Sequence, residues 1–280
     1  MASWRTGAWL RWRCEAVRWW RVQPPFAYGL LARAFANRHG HVETEAERRR
    51  LRRESGAVQK HDAGAGSRRS SVQGSLSPGS QASLSIGQLA RRSLKRTRHA
   101  AALAAWADAI QAKEVLELGT CLGITTAYLA KNPNTSRVVT IESNADRMGV
   151  AMDVWDRLGV TAAIDPHVGT FDAVLPGLLA ERERTHAGTW DLIFIDGHHE
   201  GEALLRYVKL LMPWLAPEGL LVCDDIHWSP DMEQAWDQIR NWPNWTMTLD
   251  VFEMAAATQR RGLTRQDLKV VMRGHPRPVL

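Results

Sequence analysis

The sequence has few cysteines and no long apolar run. Only three of its 280 residues are cysteine, Cys14, Cys121 and Cys223, and they lie far apart along the chain. This scattered, odd-numbered set predicts neither a disulfide framework nor a zinc site of paired thiols, and it favours a reducing compartment. No stretch approaches the roughly 18 consecutive apolar residues of a membrane span. The N-terminus also lacks the apolar segment and cleavage site of a secretory signal, so we expect a cytoplasmic protein.

Charge is distributed unevenly along the chain. Residues 1–99 contain 20 Lys or Arg and 6 Asp or Glu, whereas residues 100–280 contain 16 and 24. A basic arm therefore precedes an acidic domain. Such an arm could contact nucleic acid or an anionic membrane. We favour the alternative, in which the arm and the domain attract each other.

Tryptophans recur with helical spacing near the N-terminus. On a helix over residues 4–20, one face would carry Trp9, Trp12, Ala16, Trp19 and Trp20, with arginines on the other side. This helix could lie on a membrane surface. It could equally pack on the domain or on a second copy of the chain in a homodimer, and we favour packing.

From residue 114 onward, strand-like and helix-like segments alternate. The predicted strands are 115–118, 138–141, 162–164, 192–195 and 220–223. The predicted helices are 125–131, 145–158, 171–183, 201–212 and 231–241. This alternation predicts an α/β fold with a Rossmann-like, doubly wound, mostly parallel sheet. Two further strand-like runs, 245–252 and 268–272, have no long helix between them and predict an antiparallel hairpin at the sheet edge.

Three regions follow from these patterns. Residues 1–54 form a basic, Trp-rich helical region, and residues 86–280 form the Rossmann-like domain. Residues 55–85 between them are rich in Gly and Ser, a composition that is hard to order by itself. Because long loops in compact domains are often functional, this segment is either a linker or a lid.

The first strand of the domain ends in a glycine-bearing turn. Glu117 lies at the end of the strand, and Gly119 and Gly123 bracket the turn around Thr120. Such a strand–turn–helix unit directs backbone N–H groups at a ligand above the sheet edge. A dinucleotide-binding loop has the pattern G-x-G-x-x-G, whereas the pattern here is E-x-G-x-x-x-G. Glu142 ends the second strand, where an acid can accept hydrogen bonds from both ribose hydroxyls of a nucleotide cofactor.

Acids and histidines also follow the later strands. Those after the fourth and fifth predicted strands are Asp196, His199, Asp224, Asp225 and His227. Ligands of open α/β sheets bind at the carboxyl ends of the strands, so we expect these groups to border one crevice with the two earlier acids. So many carboxylates repel one another unless a cation offsets them.

These motifs together resemble a known family. The segments 117–123, 142, 196–199 and 224–228 occur in the order and spacing of class I S-adenosylmethionine-dependent methyltransferases. The chain is most similar to the branch of catechol and caffeoyl-CoA O-methyltransferases and the related macrolide-sugar enzymes. Within it, a largely uncharacterised bacterial subgroup shares the Asp-Asp-Ile-His-Trp-Ser stretch at 224–229 and a Gly-Ala-Gly-Ser stretch at 64–67.

The resemblance implies S-adenosyl-L-methionine as the cofactor and a small-molecule hydroxyl as the methyl acceptor. The candidate cofactor-binding residues are Glu117, Gly119, Thr120, Gly123, Glu142, Gly169, Thr170 and Asp196. At position 170 many of these enzymes have an Asp that contacts the adenine amine. Thr170 can form a hydrogen bond there but cannot supply a charge.

The resemblance also implies Mg²⁺ bound by Asp196, Asp224 and Asp225. A hard cation held by carboxylates would orient the acceptor hydroxyl and lower its pKa. Alternatively, His199 or His227 acts as the general base without a metal. The candidate catalytic residues are therefore Asp196, His199, Asp224 and His227.

Two other functions stay open at this point. A nicotinamide (NAD(P))-dependent oxidoreductase is disfavoured because the turn lacks the third glycine and the chain lacks a Tyr-x-x-x-Lys group for hydride transfer. A non-catalytic nucleotide-binding module, recruited to nucleic acid or membrane by the basic arm, is the second alternative.

Overall fold

The computed structural model describes residues 2–59 and 83–272. The Gly-Ala-Gly-Ser stretch at 64–67 and most of the predicted linker or lid lie outside the described residues. The N-terminal region contains α1 (Ala2–Glu15), β1 (Val17–Arg18), α2 (Pro25–Ala36) and α3 (Val42–Leu51). Next come β2 (Ala57–Gln59) and β3 (Ser83–Ser85), which pair antiparallel, and then α4 (Ile86–Arg92) and α5 (Thr97–Ala109).

Strands and helices alternate through the rest of the chain. The strands are β4 (Glu114–Leu118), β5 (Arg137–Glu142), β6 (Ile164–Val168), β7 (Trp190–Ile195), β8 (Leu215–Asp224), β9 (Met247–Asp250), β10 (Met254–Thr258) and β11 (Gln266–Val271). The helices between them are α6 (Ile124–Ala130), α7 (Ala145–Arg157), α8 (Phe171–Arg184), α9 (Gly201–Leu211) and α10 (Pro230–Arg240).

The described strands form a nine-stranded sheet in the order β1-β11-β9-β10-β8-β7-β4-β5-β6. β10 is antiparallel to both of its neighbours, and the other pairings are parallel. This arrangement confirms the predicted Rossmann-like class with an antiparallel C-terminal hairpin. The third predicted strand was displaced, because residues 161–163 form a 3₁₀ turn and the strand begins at Ile164. Pro166 is tolerated within β6 because β6 lies at the sheet edge.

The members of the C-terminal hairpin differ from the prediction. The hairpin consists of β9 and β10. β10 is the run at 254–258, which contains three consecutive alanines. β11 instead pairs parallel to β9, with Leu268 opposite Leu249. Alanine is a poor strand former, so this buried run gave no strand signal. Its small side chains pack within the sheet, where Ala255, Ala256 and Ala257 are fully buried.

The sheet lies between two layers of helices. Successive side chains along a strand face opposite layers. Val115 on β4 joins the apolar cluster that includes α2, α5, α6 and α7. Leu116 and Leu118 join the cluster that includes α8, α9 and α10. Among the described residues, no helix is long and apolar enough to cross a membrane.

The N-terminal helix packs on the domain, but it ends earlier than the tryptophan spacing predicts. α1 stops at Glu15 because Val17 pairs with Val270 and extends the sheet. Its buried face includes Ala8 and Trp12, whereas Trp9 is 42% exposed. The predicted single tryptophan face over residues 4–20 was therefore wrong. Trp12 instead contacts Phe252, with the two ring centroids 5.3 Å apart.

Ion pairs join the basic arm to the acidic domain. Arg5 pairs with Glu253, Arg11 with Glu233 at 3.4 Å, and Arg33 with Asp108 at 2.6 Å. Pairs of the opposite polarity also occur, including Arg157 of the domain with Glu47 of the arm at 3.0 Å. Ion pairs between the arm and the domain therefore neutralise part of the charge asymmetry within the chain.

Candidate active site

Neighbouring protein atoms fix the conformation of the glycine turn. Gly119 has a φ of +107°, and a Cβ there would lie 2.0 Å from the carbonyl oxygen of Asp196. Gly123 has a φ of +74°, and a Cβ there would lie 2.5 Å from Nε1 of Trp155. That indole N–H donates to the Gly123 carbonyl at 2.9 Å. Both glycines are therefore needed for the close approach of β7 and α7, in addition to any cofactor.

Glu117 is fully buried beneath this turn. Its Oε2 accepts hydrogen bonds from the hydroxyls of Thr126, at 2.5 Å, and Thr140, at 2.8 Å. The Thr140 hydroxyl lies 2.6 Å from that of Thr120, so the acid connects β4, β5, α6 and the turn. Its Oε1 has no hydrogen-bond partner among the described residues. Burial raises the pKa of Glu117 to about 8.

Glu142 connects the turn to the end of β5. Its Oε2 accepts from the backbone N–H of Cys121 at 2.9 Å, and its Oε1 accepts from that of Asn144 at 3.0 Å. The side chain is 7% exposed. The carboxylate is thus held in one orientation at the sheet edge, and it keeps lone pairs for further donors. Its predicted contact with ribose stays a prediction.

Gly169 and Thr170 lie at the equivalent end of β6. Gly169 has a φ of +152°, and a Cβ there would lie 2.8 Å from Val174. The Thr170 hydroxyl accepts from the backbone N–H of Ala173 at 3.2 Å and caps α8. Its hydrogen is still available to a ligand, so the predicted adenine contact is compatible with the cap and stays a prediction.

The chief finding at the ends of β7 and β8 is a lysine that the sequence analysis missed. Lys95, from the segment between α4 and α5, forms an ion pair with Asp224 and another with Asp196 at 3.3 Å. Its side chain is 4% exposed, and its ammonium lies 5.1 Å from the ring centroid of Phe194. No sequence spacing links Lys95 to the strands. The sole signal was the need for a cation among so many acids.

The protonation of this cluster follows from its charges. Burial by itself would lower the pKa of Lys95, but the carboxylates of Asp196 and Asp224 outweigh it and raise the pKa. Lys95 is therefore an ammonium. Burial, together with the neighbouring Asp196 carboxylate, raises the pKa of Asp224. Because one ammonium faces two carboxyl groups, Asp224 keeps its proton more readily than in water.

The expected Mg²⁺ ligands do not fit a metal site. Asp196 and Asp224 are engaged by Lys95. Asp225 has a left-handed φ of 49°, and its Oδ1 lies 3.8 Å from the guanidinium of Arg5. Within residues 2–59 and 83–272, no group of three or more His, Cys, Asp or Glu side chains is arranged to hold a metal ion.

The structure separates the two candidate histidines. His227 is buried, with Nε2 3.0 Å from Asp250 and Nδ1 3.5 Å from Glu233. The ring of Phe252 stacks on it at 4.9 Å, so its nitrogens face carboxylates rather than a crevice. His199 is partly exposed and lies beside Trp228, with ring centroids 6.4 Å apart. Of the two, His199 is better placed to reach a ligand.

A cavity of about 950 Å³ is lined in part by Phe252 and Glu253. Its wall includes the aromatic residues Trp9, Trp12, Trp20 and Phe35. Arg13, Arg18 and Arg38 also line it, and none of these three has a described carboxylate within ion-pair distance. The residues lining the cavity do not include the glycine turn or Glu142, so the cavity is separate from that part of the sheet edge.

Sequence comparisons agree with this architecture. Residues 116–226 match a family described as a methyltransferase domain. A catechol O-methyltransferase of Niastella koreensis is 32% identical over 121 residues, which cover 43% of this chain and 52% of that protein. The chain thus spans about half the length of the curated relatives it matches.

Solved structures extend the similarity. Cofactor-bound Rv0187 from MTB is 25% identical, with a TM-score of 0.53, over 60% of this chain and 83% of that one. The SAH-bound methyltransferase PaMTH1 of Podospora anserina is 16% identical, with a TM-score of 0.55. That match covers 85% of this chain and 97% of the other, and it shows the shared fold.

Proposed function

We propose that this chain, which contains a class I methyltransferase domain of the catechol and caffeoyl-CoA O-methyltransferase type, transfers a methyl group from S-adenosylmethionine to a small-molecule hydroxyl. One observation carries the proposal. The glycine turn, Glu142 and the cluster of Asp196 and Asp224 occupy the carboxyl ends of adjacent strands within the matched domain. A crevice in that position is where open α/β sheets bind their ligands.

The cofactor would lie across the ends of β4 and β5. When bound, S-adenosylmethionine supplies a methyl carbon activated by a sulfonium. Glu142 would accept hydrogen bonds from the ribose hydroxyls, since its carboxylate is already fixed by two backbone N–H groups. Glu117 holds the turn from below through Thr126 and Thr140. Relatives with S-adenosylmethionine or its product bound share this fold, which supports the assignment.

The acceptor would approach from the ends of β7 and β8. Its oxygen forms the new bond to the methyl carbon while the carbon–sulfur bond breaks, so the two atoms must be held in line. The hydroxyl proton needs a base. We assign His199, which is partly exposed, in preference to His227, whose nitrogens face Asp250 and Glu233.

The cavity beside Phe252 is our candidate for the rest of the acceptor. It adjoins Asp225, the residue after Asp224, because the carbonyl of Glu253 accepts from the N–H of Asp225 at 2.7 Å. Aromatic walls suit a ring, and arginines without acidic partners suit a negative charge. We therefore expect an aromatic or otherwise apolar acceptor that carries an anionic group.

Product analysis tests the proposal. The protein would be incubated with S-adenosylmethionine and pairs of hydroxyl compounds, such as catechol and its carboxylate-bearing analogue, and methylated products detected by mass spectrometry. We expect a methyl ether, formed faster from the anionic member of each pair. Methylation confined to nitrogen or carbon acceptors would contradict O-methylation. A preference for neutral acceptors would contradict the role of the cavity.

A further inference from the structure

We propose that Lys95 supplies the positive charge of this site in place of a divalent ion, so that methyl transfer by this chain needs no Mg²⁺. The inference rests on the proposed function for its catalytic meaning. The position of the lysine and its consequence for metal binding stand on geometry alone.

The first step is the position of the ammonium. Nζ of Lys95 lies between the carboxylates that end two adjacent parallel strands, bonded to Asp224 and 3.3 Å from Asp196. A divalent ion shared by these two acids would have to occupy the same space. The lysine side chain is only 4% exposed, so its ammonium is held within the protein rather than at its surface.

The second step is the charge balance. The carboxylates of Asp224, which is buried, and Asp196, which is partly buried, repel each other and lose hydration. A single ammonium offsets part of that cost. A dication brought beside the ammonium would be repelled by it and would compete for the same oxygen atoms. A metal ion could therefore bind only after the Lys95 ammonium had moved away from the two carboxylates. The displaced ammonium would then have no carboxylate partner, whether it stayed buried or reached solvent.

The third step is that other residues hold Lys95 in place. The buried guanidinium of Arg48 on α3 donates to the Lys95 carbonyl at 2.5 Å. Glu45 fixes Arg48 at 2.9 Å and accepts from the hydroxyls of Thr97, at 2.7 Å, and Tyr128, at 2.8 Å. The N-terminal region and the α4–α5 segment together therefore hold Lys95 in position.

The fourth step concerns the remaining acid. Asp225, which would complete a set of three carboxylates, has Arg5 of α1 within 3.8 Å. The same guanidinium pairs with Glu253 and lies 5.3 Å from the ring centroid of Trp228. Arg5 is therefore a second positively charged side chain near these acids, and both Lys95 and Arg5 belong to the chain itself.

Metal titration of the whole chain tests the inference. MgCl₂ and MnCl₂ would be titrated by calorimetry into the EDTA-treated wild-type protein, Lys95→Met, Lys95→Arg and the control Lys209→Met, whose lysine lies exposed on α9. We expect no binding to the wild type, Lys95→Arg or the control below about 1 mM. Lys95→Met should bind Mn²⁺, and its melting temperature should rise with the metal. With an acceptor in hand, its turnover should fall by about 100-fold through misplacement of the cluster, whereas wild-type turnover should be unchanged by EDTA.

Several results would overturn the inference. Binding of Mg²⁺ by the wild-type protein, abolished by Asp196→Asn, would place a metal where we place Lys95. A folded Lys95→Met protein that binds no Mn²⁺ would show that the lysine does not occupy a metal position. If Lys95→Met does not fold, the wild-type and Lys95→Arg titrations still decide. Binding of S-adenosylhomocysteine, measured on the same samples, separates failure of the proposed function from failure of this inference.

Discussion

Buried charge at this sheet edge is arranged in two different ways. Glu117 has only hydroxyl partners and one carboxyl oxygen without any described partner, so burial dominates and raises its pKa. Asp196 and Asp224 instead share the ammonium of Lys95. The two arrangements have different consequences. The neutral carboxyl group of Glu117 holds the turn through hydrogen bonds, whereas the ion pairs of Lys95 hold a positive charge between Asp196 and Asp224. Replacing single residues tells them apart.

Glu142 carries the predicted contact with the cofactor. Replacing Glu142 with Ala removes two charge-assisted hydrogen bonds to ribose and should weaken S-adenosylhomocysteine binding by about 100-fold. Calorimetry measures this change. Glu181→Ala is the control, because Glu181 is an exposed acid on α8 that pairs only with Arg184 among described residues. Equal affinity of Glu142→Ala and wild-type protein would refute the ribose assignment.

Glu117 should make stability depend on pH. Its pKa is raised from 4.5 to about 8, so the folded protein binds this proton more tightly than the unfolded chain does. Stability contributed by the neutral group is thus lost as the pH rises between those two values. Glu117→Gln cannot ionise. Its free energy of unfolding minus that of the wild type should increase from about pH 5 to pH 8, by on the order of a few kcal/mol.

Urea unfolding at several pH values measures this difference. Glu181→Gln serves as the control, since the pKa of this exposed acid is lowered by Arg184 rather than raised. A difference between Glu117→Gln and wild type that stays constant from about pH 5 to pH 8 would show that folding does not raise the pKa of Glu117.

At the level of elements, the alternating part of the chain was predictable from sequence. Apolar strand runs and the helical segments between them specify β4 to β8 and α6 to α10 locally, and the structure places their bounds within about five residues of the prediction. β10 was missed because alanines carry no strand signal. The end of α1 was missed because it depends on the pairing of Val17 with Val270, about 250 residues away. Pairings between residues so far apart give no recognisable pattern in the neighbouring sequence.

α1 offers a matched test of its own packing. Trp12 is 5% exposed against Phe252, whereas Trp9, on the same helix, is 42% exposed. Trp12→Ala should lower the free energy of unfolding by about 3–5 kcal/mol, and Trp9→Ala should change it by less than about 0.5 kcal/mol. Urea unfolding measures both. Equal effects of the two substitutions would contradict the observed orientation of the helix.

Across the whole molecule, the N-terminal region and the domain build the site jointly. The domain supplies the acids, which the sequence indicated because each one ends a strand. The region before β4 supplies the cations Lys95 and Arg5. Sequence patterns could not pair these residues, since their contacts span more than 90 positions and depend on how the arm packs. The crowding of acids indicated that a cation was needed, and the family resemblance implied Mg²⁺ at the position where the structure has a lysine.

We expect S-adenosylmethionine to bind at the ends of β4 and β5. Calorimetric titration of S-adenosylhomocysteine and, separately, NAD⁺ into the full chain measures this binding. We predict that S-adenosylhomocysteine binds at one site per chain, that Glu142→Ala weakens this binding, and that NAD⁺ gives no binding heat. Binding of NAD⁺ without S-adenosylhomocysteine would favour an oxidoreductase, and binding of neither would favour a non-catalytic module. Either result would contradict the assignment of S-adenosylmethionine as the cofactor.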